Sequence, residues 1–574
     1  MNSRACLRSF CVLCVLCGPA LTFALDREAF SIRKYDLTAQ LDPAQHRIGV
    51  RGSITLRNDS ASPQKIALLQ ISSSLDWRAI KAADKSLQFV TQPYTSDIDH
   101  TGALSEAIVT LPQAVPPGGS LDLTVGYEGV IVQDATRLTR IGTPEAAAQN
   151  SDWDRIDPTF AAVRGAGYVA WYPITTEVAN LSEGDDLFQV LERWKSRERG
   201  ATMNVVLEYP GWSGDSAQPS ILCDGNHSAE TSAVPPKYPS ARCFDIALDR
   251  SIPSFGLANY GVVKRDSVTV YNLATHAAAA EIYADNAEKA ASLVKDWFGP
   301  LRERAQTADL AGPDSTPFES GAFLLTPLGK LGALQAGLSA AHQLTHAAFI
   351  SPRPWIDEGL AHFAQSLYLE QQSGRKKAID YMGAHRATLV RSALTVASSD
   401  DEKQRSLVST IDESLYRSKA MYVWWMLRDM VGEPALKKAL AAYRPEQDKE
   451  PSYMPHLIAA QTQRDLEWFF DDWVYRDRGL PEFKVESAFS RKTMTGSFML
   501  TITIDNLGTA GAEVPLFIKF AGGEAMKRLE VRAKDKATIR VETPAAPQEV
   551  VVNDGSVPEV DTTNDSYKVG PAQN

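Results

Sequence analysis

The strongest constraint on this chain is the stretch Ala341-His342-Gln343-Leu344-Thr345-His346, followed after two prolines by Trp355-Ile356-Asp357-Glu358-Gly359. Side chains four apart on an α-helix share a face, so both imidazoles can reach one ion. Leu338, Ala341, Leu344, Thr345, Ala348 and Phe349 give that helix an apolar face, and Ser351-Pro352-Arg353-Pro354 stops it. A second helix is expected from near Trp355, burying Leu360, Ala361, Phe363, Ala364 and Leu367 and offering Glu358 to the first. His342, His346 and Glu358 then form a ligand set for one zinc ion, with the fourth position open for water as catalytic sites require. The alternative is a pair of satisfied histidines on a core helix.

Gln343 is the wrong residue for the obvious chemistry. In an H-E-x-x-H helix the glutamate takes a proton from water and passes it to the leaving amine. An amide can hydrogen-bond the water but cannot accept its proton, and loss of a general base costs about a hundredfold to ten-thousandfold in rate.

The length of 574 residues is too great for one core and implies about three or four domains. With 44% hydrophobic and 22% charged residues the composition is that of a folded protein. A net charge of −11, with no basic patch interleaved with aromatics, argues against nucleic acid as the main partner. Arg4 and Arg8, an apolar run from Phe10 to Leu16 and the ending Thr22-Phe23-Ala24 read as a signal peptide over residues 1–24. That run is too short for a membrane span and no later stretch is long enough, so the expected product is exported, periplasmic or secreted. Leu16 is too bulky for lipoprotein processing at Cys17. Cys6, Cys11, Cys14 and Cys17 leave with the signal; Cys223 and Cys243 remain, as one disulfide of an oxidising compartment or as two reduced core cysteines.

Along the chain, residues 25–262 alternate as strands do, in Tyr35, Leu37, Ala39 and Leu41 and again in Ile48, Val50, Ile54 and Leu56, and form an expected N-terminal β domain. The charged run Glu192 to Arg199 reads as a solvated strand edge. Residues 263–483 are mainly helical with a small sheet: a helix from His276 to Phe298, a strand Gly321 to Thr326, and helices over Leu415 to Val431 and Leu466 to Trp473. Residues 484–560 return to short alternating strands, such as Phe498, Leu500, Ile502 and Ile504, as in a β-sandwich. Residues 561–574 are polar and read as a flexible tail.

This order, with its motifs, resembles the aminopeptidase-N (membrane alanyl aminopeptidase) family of gluzincin zinc metallopeptidases over nearly the whole mature chain. The resemblance implies a thermolysin-like catalytic domain in which His342, His346 and Glu358 hold zinc, with Trp355-Ile356-Asp357-Glu358-Gly359 similar to the family's third-ligand segment. Leu415-Tyr416-Arg417-Ser418-Lys419-Ala420 resembles the segment whose tyrosine stabilises the oxyanion, which implies that role for Tyr416. Phe469 to Val474 and Gly479-Leu480-Pro481 are similar to the family's exit from the catalytic domain. Three departures stand beside these matches. Gln343 replaces the base. The segment Gly321 to Thr326 lacks the glutamate of the G-x-M-E-N motif that holds a substrate's amino terminus; Glu319, just before it, could substitute only with a shifted backbone. Eleven residues separate His346 from Glu358 where the family usually has eighteen, and His362, one turn beyond Glu358, is an alternative ligand or a packing residue.

Two functions follow as expectations. One is an exported zinc metallopeptidase acting on a peptide or protein substrate, with Gln343 orienting water, Tyr416 stabilising the oxyanion, and hydroxide or Glu413 in place of the missing base. The other is a catalytically inactive pseudopeptidase that binds peptides or a partner protein in the former cleft.

Overall fold

The computed structural model describes residues 26–571 apart from segments 97–101, 136–138, 140–143, 166–170, 176–196, 213–218, 230–237, 249–250, 397–405 and 411–413 and a few single positions. The expected signal peptide, Glu413 and most of the charged run from Glu192 lie outside the described residues. The layout is mixed α/β and multidomain, with several sheets.

Alternating apolar residues build the first part. Tyr35, Leu37, Ala39 and Leu41 are all buried along the strand Phe30–Asp42, which pairs antiparallel with Arg47–Asn58 and parallel with Thr202–Glu208 inside an eight-stranded sheet. Cys223 and Cys243 form a disulfide, which settles the two readings of that pair.

From Gly261 onward a five-stranded sheet carries the helices. Its order is Gly261–Lys264, Val268–Asn272, Ala305–Asp309, Phe323–Thr326 and Phe318–Ser320, the middle three parallel. Parallel neighbours need a crossover, and the helix Ala277–Phe298 supplies the first one. The strand expected over Gly321 to Thr326 begins at Phe323 instead. Gly321, at φ 56°, takes the left-handed conformation that a tight turn requires, so the chain doubles back and Phe318–Ser320 becomes an edge strand.

Two helices follow as the sequence suggests, Ala333–Ala348 and Pro354–Ser373, joined by Phe349 to Arg353. Pro354 fits the first helical position because its missing N–H would have no intrahelical partner there. The helix expected from Leu415 opens with a π-helical turn, Ser414–Lys419, before the α-helix Ala420–Val431. Gly359 lets the second helix approach that segment closely: a Cβ there would come 2.7 Å from Ala420 Cβ.

The last part is two sheets, of three and four strands, with Leu500, Ile502, Ile504, Leu516 and Ile518 buried between them. One apolar core runs unbroken from Val268 to Val557 through the helices and these sheets. Within the segment expected as a tail, Ser566–Lys568 pairs with Glu549 to Val551 as an edge strand. Among the described residues no helix is long and apolar enough to cross a membrane.

The connection between the two helices rests on a buried ion pair. Arg353 Nε donates to both carboxylate oxygens of Asp448 at 2.8 Å, Tyr443 OH donates to Asp448 at 2.6 Å, and neither Arg353 nor Asp448 is exposed. Removing one partner of such a pair leaves a buried charge, so Asp448→Ala is expected to cost about 3–5 kcal/mol. The measurement is the urea midpoint, and replacing both partners by apolar residues should recover much of the loss.

Candidate metal centre

His342 and His346 lie one turn apart on Ala333–Ala348 with ring centroids 4.9 Å apart. Glu358, on the first turns of Pro354–Ser373, faces them: its Oε2 is 3.8 Å from His342 Nε2 and its Oε1 3.8 Å from His346 Nε2. The structure therefore brings the three expected ligands together despite the shortened connection. It adds a fourth residue. Glu319 Oε1, from the edge strand, lies 3.4 Å from His342 Nε2 and 3.8 Å from His346 Nε2. One ligand atom from each of Glu319, His342, His346 and Glu358 lies within 4.8 Å of every other, so this cluster could hold a metal ion.

The atoms that face one another fit such a role. Among the described residues, His346 Nε2 and Glu358 Oε2, and on Glu319 the second oxygen Oε2 beside the Oε1 that faces the imidazoles, are buried and form no hydrogen bond. Buried polar atoms are normally paired, and an ion is one way to satisfy these. The other nitrogen of His346, Nδ1, lies 3.3 Å from Asp357 Oδ2, the carboxylate arrangement that fixes the tautomer of a metal-bound imidazole. Asp357 is held in turn by the backbone N–H of Ser351, 3.0 Å from its Oδ1.

Electrostatics follow from this crowding. Burial opposes charge on His346, but Asp357, Glu358 and Glu319 outweigh it and push its pKa up to about 10. Burial likewise opposes charge on Glu358, yet His346, His342, Arg417 and His362 bring its pKa down to about 2. Burial and then His342 act similarly on Glu319, the imidazole winning, and its pKa is lowered. His362 is not one of the four. Its Nε2 is 4.0 Å from Glu358 Oε2, its ring sits 5.0 Å from that of His342, and burial with His342 nearby keeps it neutral.

Gln343 is turned toward the sheet. Its Oε1 accepts from Thr326 Oγ1 at 2.8 Å and Tyr283 OH at 3.2 Å, and its Nε2 donates to the Leu325 carbonyl at 3.4 Å. The side chain thus braces the histidine helix against the strand beside it. Tyr416 lies in the π-helical turn under the guanidinium of Arg417, 5.7 Å from the ring centroid. Arg417 reaches the site itself, its Nε 3.2 Å from Glu358 Oε2. π-Helical turns often mark functional positions.

A cavity of about 740 Å³ opens beside the cluster, lined at that end by Glu319, His342, Gln343 and Arg417 and elsewhere by Leu334 and Leu338. Its size is that of a small-molecule or peptide-side-chain site. Sequence reasoning missed the parts played by Asp357 and Arg417, and it placed Glu319 outside the metal set. Asp357 had a signal, since a carboxylate beside a ligand helix is the usual partner of a coordinated imidazole. Glu319 had none in the linear pattern, because its position depends on the turn at Gly321. A scan against protein-family models and a search of curated proteins return no match to this chain.

Without metal, His346 carries a proton up to about pH 10, and a metal must displace it. The apparent association constant for a divalent ion should therefore rise about tenfold per pH unit across the neutral range, levelling near pH 10. Metal titrations at a series of pH values check this, and His346→Ala should flatten the slope and weaken binding. The same raised pKa favours the metal-free fold below the ordinary value of 6.5, a contribution lost as pH climbs through about 10.

Proposed function

We propose that this protein is an exported zinc metallopeptidase of gluzincin type, hydrolysing peptide bonds in the cavity beside Glu319, His342, His346 and Glu358. The observation that carries the reading is the convergence of two imidazoles and the Glu358 carboxylate, with unsatisfied ligand atoms, at one end of a cavity. Nitrogen and carboxylate oxygen donors suit zinc, which would polarise a peptide carbonyl and lower the pKa of a water. Asp357 holds the His346 ring in position, Arg417 neutralises Glu358, and the leucines of the cavity wall would take an apolar side chain. Tyr416 would donate a hydrogen bond to the oxyanion that develops on the substrate. Export is supported by the basic and apolar start of the chain and by the Cys223–Cys243 disulfide.

No aminopeptidase specificity is part of the proposal. Among the described residues that line the cavity Glu319 carries the carboxylate, and it lies against the two imidazoles rather than out where an ammonium group would sit. A second reading, a peptide-binding relative without hydrolytic activity, is favoured by Gln343 alone: the residue at the base position is neutral and its amide is already bonded to the sheet.

The test is zinc content and hydrolysis of a peptide library by the mature protein. About one zinc per chain and measurable cleavage are expected, with Tyr416→Phe lowering the rate about a hundredfold at unchanged zinc content. Gln343→Glu loses the donor to the Leu325 carbonyl, and with its carboxylate turned from the sheet to the cluster it should raise the rate about a hundredfold by restoring a base. Zinc binding without cleavage in either the wild type or Gln343→Glu would establish the second reading.

A further inference from the structure

The two carboxylates of the cluster stand at similar distances from the imidazoles. Ligands bonded at about 2.0–2.2 Å around a tetrahedral ion stand about 3.3–3.6 Å from one another. Glu319 Oε1 lies 3.4 and 3.8 Å from the two imidazole nitrogens, and Glu358 places Oε2 3.8 Å from His342 Nε2 and Oε1 3.8 Å from His346 Nε2. Distance gives no ground for counting Glu358 as a ligand and Glu319 as a bystander.

Glu319 is also held where it is. The hairpin that carries it is tied at both ends to the N-terminal part of the chain. Thr316 N–H donates to the Ser151 carbonyl at 2.9 Å and its carbonyl accepts from Trp153 Nε1 at 2.7 Å. Ser320 Oγ accepts from Ile252 N–H at 2.7 Å and donates to the Ile252 carbonyl at 3.1 Å. Glu319 lies between these anchors, and the turn at Gly321 just beyond them fixes the register, with Glu319 opposite Leu324. The carboxylate can rotate, but its backbone is set.

We propose that Glu319 is a fourth protein ligand that closes the metal's coordination shell at rest, so that any metal-directed ligand, a peptide carbonyl or a chelating inhibitor, must first displace it. The inference rests on the metal reading of the cluster and is independent of whether peptides are cleaved. A shell of four protein ligands is the mark of structural zinc sites, whereas catalytic ones keep a position open. Here the stopper is a side chain on the cavity wall, so the same centre is closed alone and opens when a ligand with higher affinity enters.

The experiment is cobalt(II) substitution of the metal-free mature protein, read by visible absorption, with acetohydroxamic acid as the probe. The wild type should bind one cobalt and keep its spectrum when the hydroxamate is added. Glu319→Ala and the isosteric Glu319→Gln should bind cobalt about tenfold more weakly, yet take the hydroxamate at least about tenfold more tightly than the wild type. Equal hydroxamate affinity in the wild type and both variants overturns the closed shell while leaving the metal centre intact. A folded wild type that binds no cobalt overturns the metal reading and this inference with it. Loss of peptide cleavage with the expected cobalt behaviour supports the inference and sinks only the hydrolase.

Discussion

The centre depends on how short the path is from His346 to Glu358. Five residues, Phe349 to Arg353, turn the chain between the ligand helices. So tight a reversal leaves polar groups to satisfy, and one of them reaches the site. Ser351 N–H goes to Asp357, Ser351 Oγ pairs with Tyr443 OH at 2.8 Å, and Arg353 is neutralised by Asp448. Asp357 then links the turn to the His346 ring through its other oxygen. The residue before Glu358 thus sets both the start of the second helix and the orientation of the His346 ring on the first, and a longer connection would uncouple them.

The N-terminal part is built into the same arrangement. Ser151, Trp153 and Ile252 hold the hairpin that presents Glu319, and a small apolar cluster joins Trp153, Phe160 and Leu222 to Phe323 and Leu325 of the site's sheet. Arg164, buried between Asp152 and Asp154, stiffens the segment on which two of those anchors lie. A movement of the β part relative to the helices would therefore reach Glu319 before it reached His342 or His346, whose helix is fixed by Gln343 to the sheet and by its own apolar face to Ala277–Phe298.

Local rules read well from this sequence wherever one periodicity decided the outcome. The helices bearing His342 and Glu358, the strand from Phe30 and the strands of the C-terminal sheets follow from spacing, proline placement and alternation. Glu319 was illegible because three distant contacts and one left-handed glycine place it, and no pattern within the hairpin encodes them. The helix begins where the pattern at Leu415 places it, but its π-turn was illegible, because one extra residue in the helical repeat is absorbed by the apolar pattern without trace. Gln343 could be recognised as a missing base, but its role as a brace to Leu325 and Thr326 required knowing which strand lies beside the helix.

Charge explains why two carboxylates suit this pocket better than one. Without metal, Glu319 and Glu358 are opposed by the protonated His346 and by Arg417, and Asp357 adds a third negative group behind the ring. Replacing that proton by a divalent ion raises the local charge by one, which a buried site tolerates only with anionic ligands close by. Two carboxylates and two neutral imidazoles around a divalent ion sum to zero. With Glu319 withdrawn the same shell carries a net positive charge, next to Arg417 and in a partly desolvated cavity. In the proposed metal-bound centre this balance would favour return of Glu319 whenever a neutral ligand leaves, and an anionic ligand is the kind that could take its place without that cost.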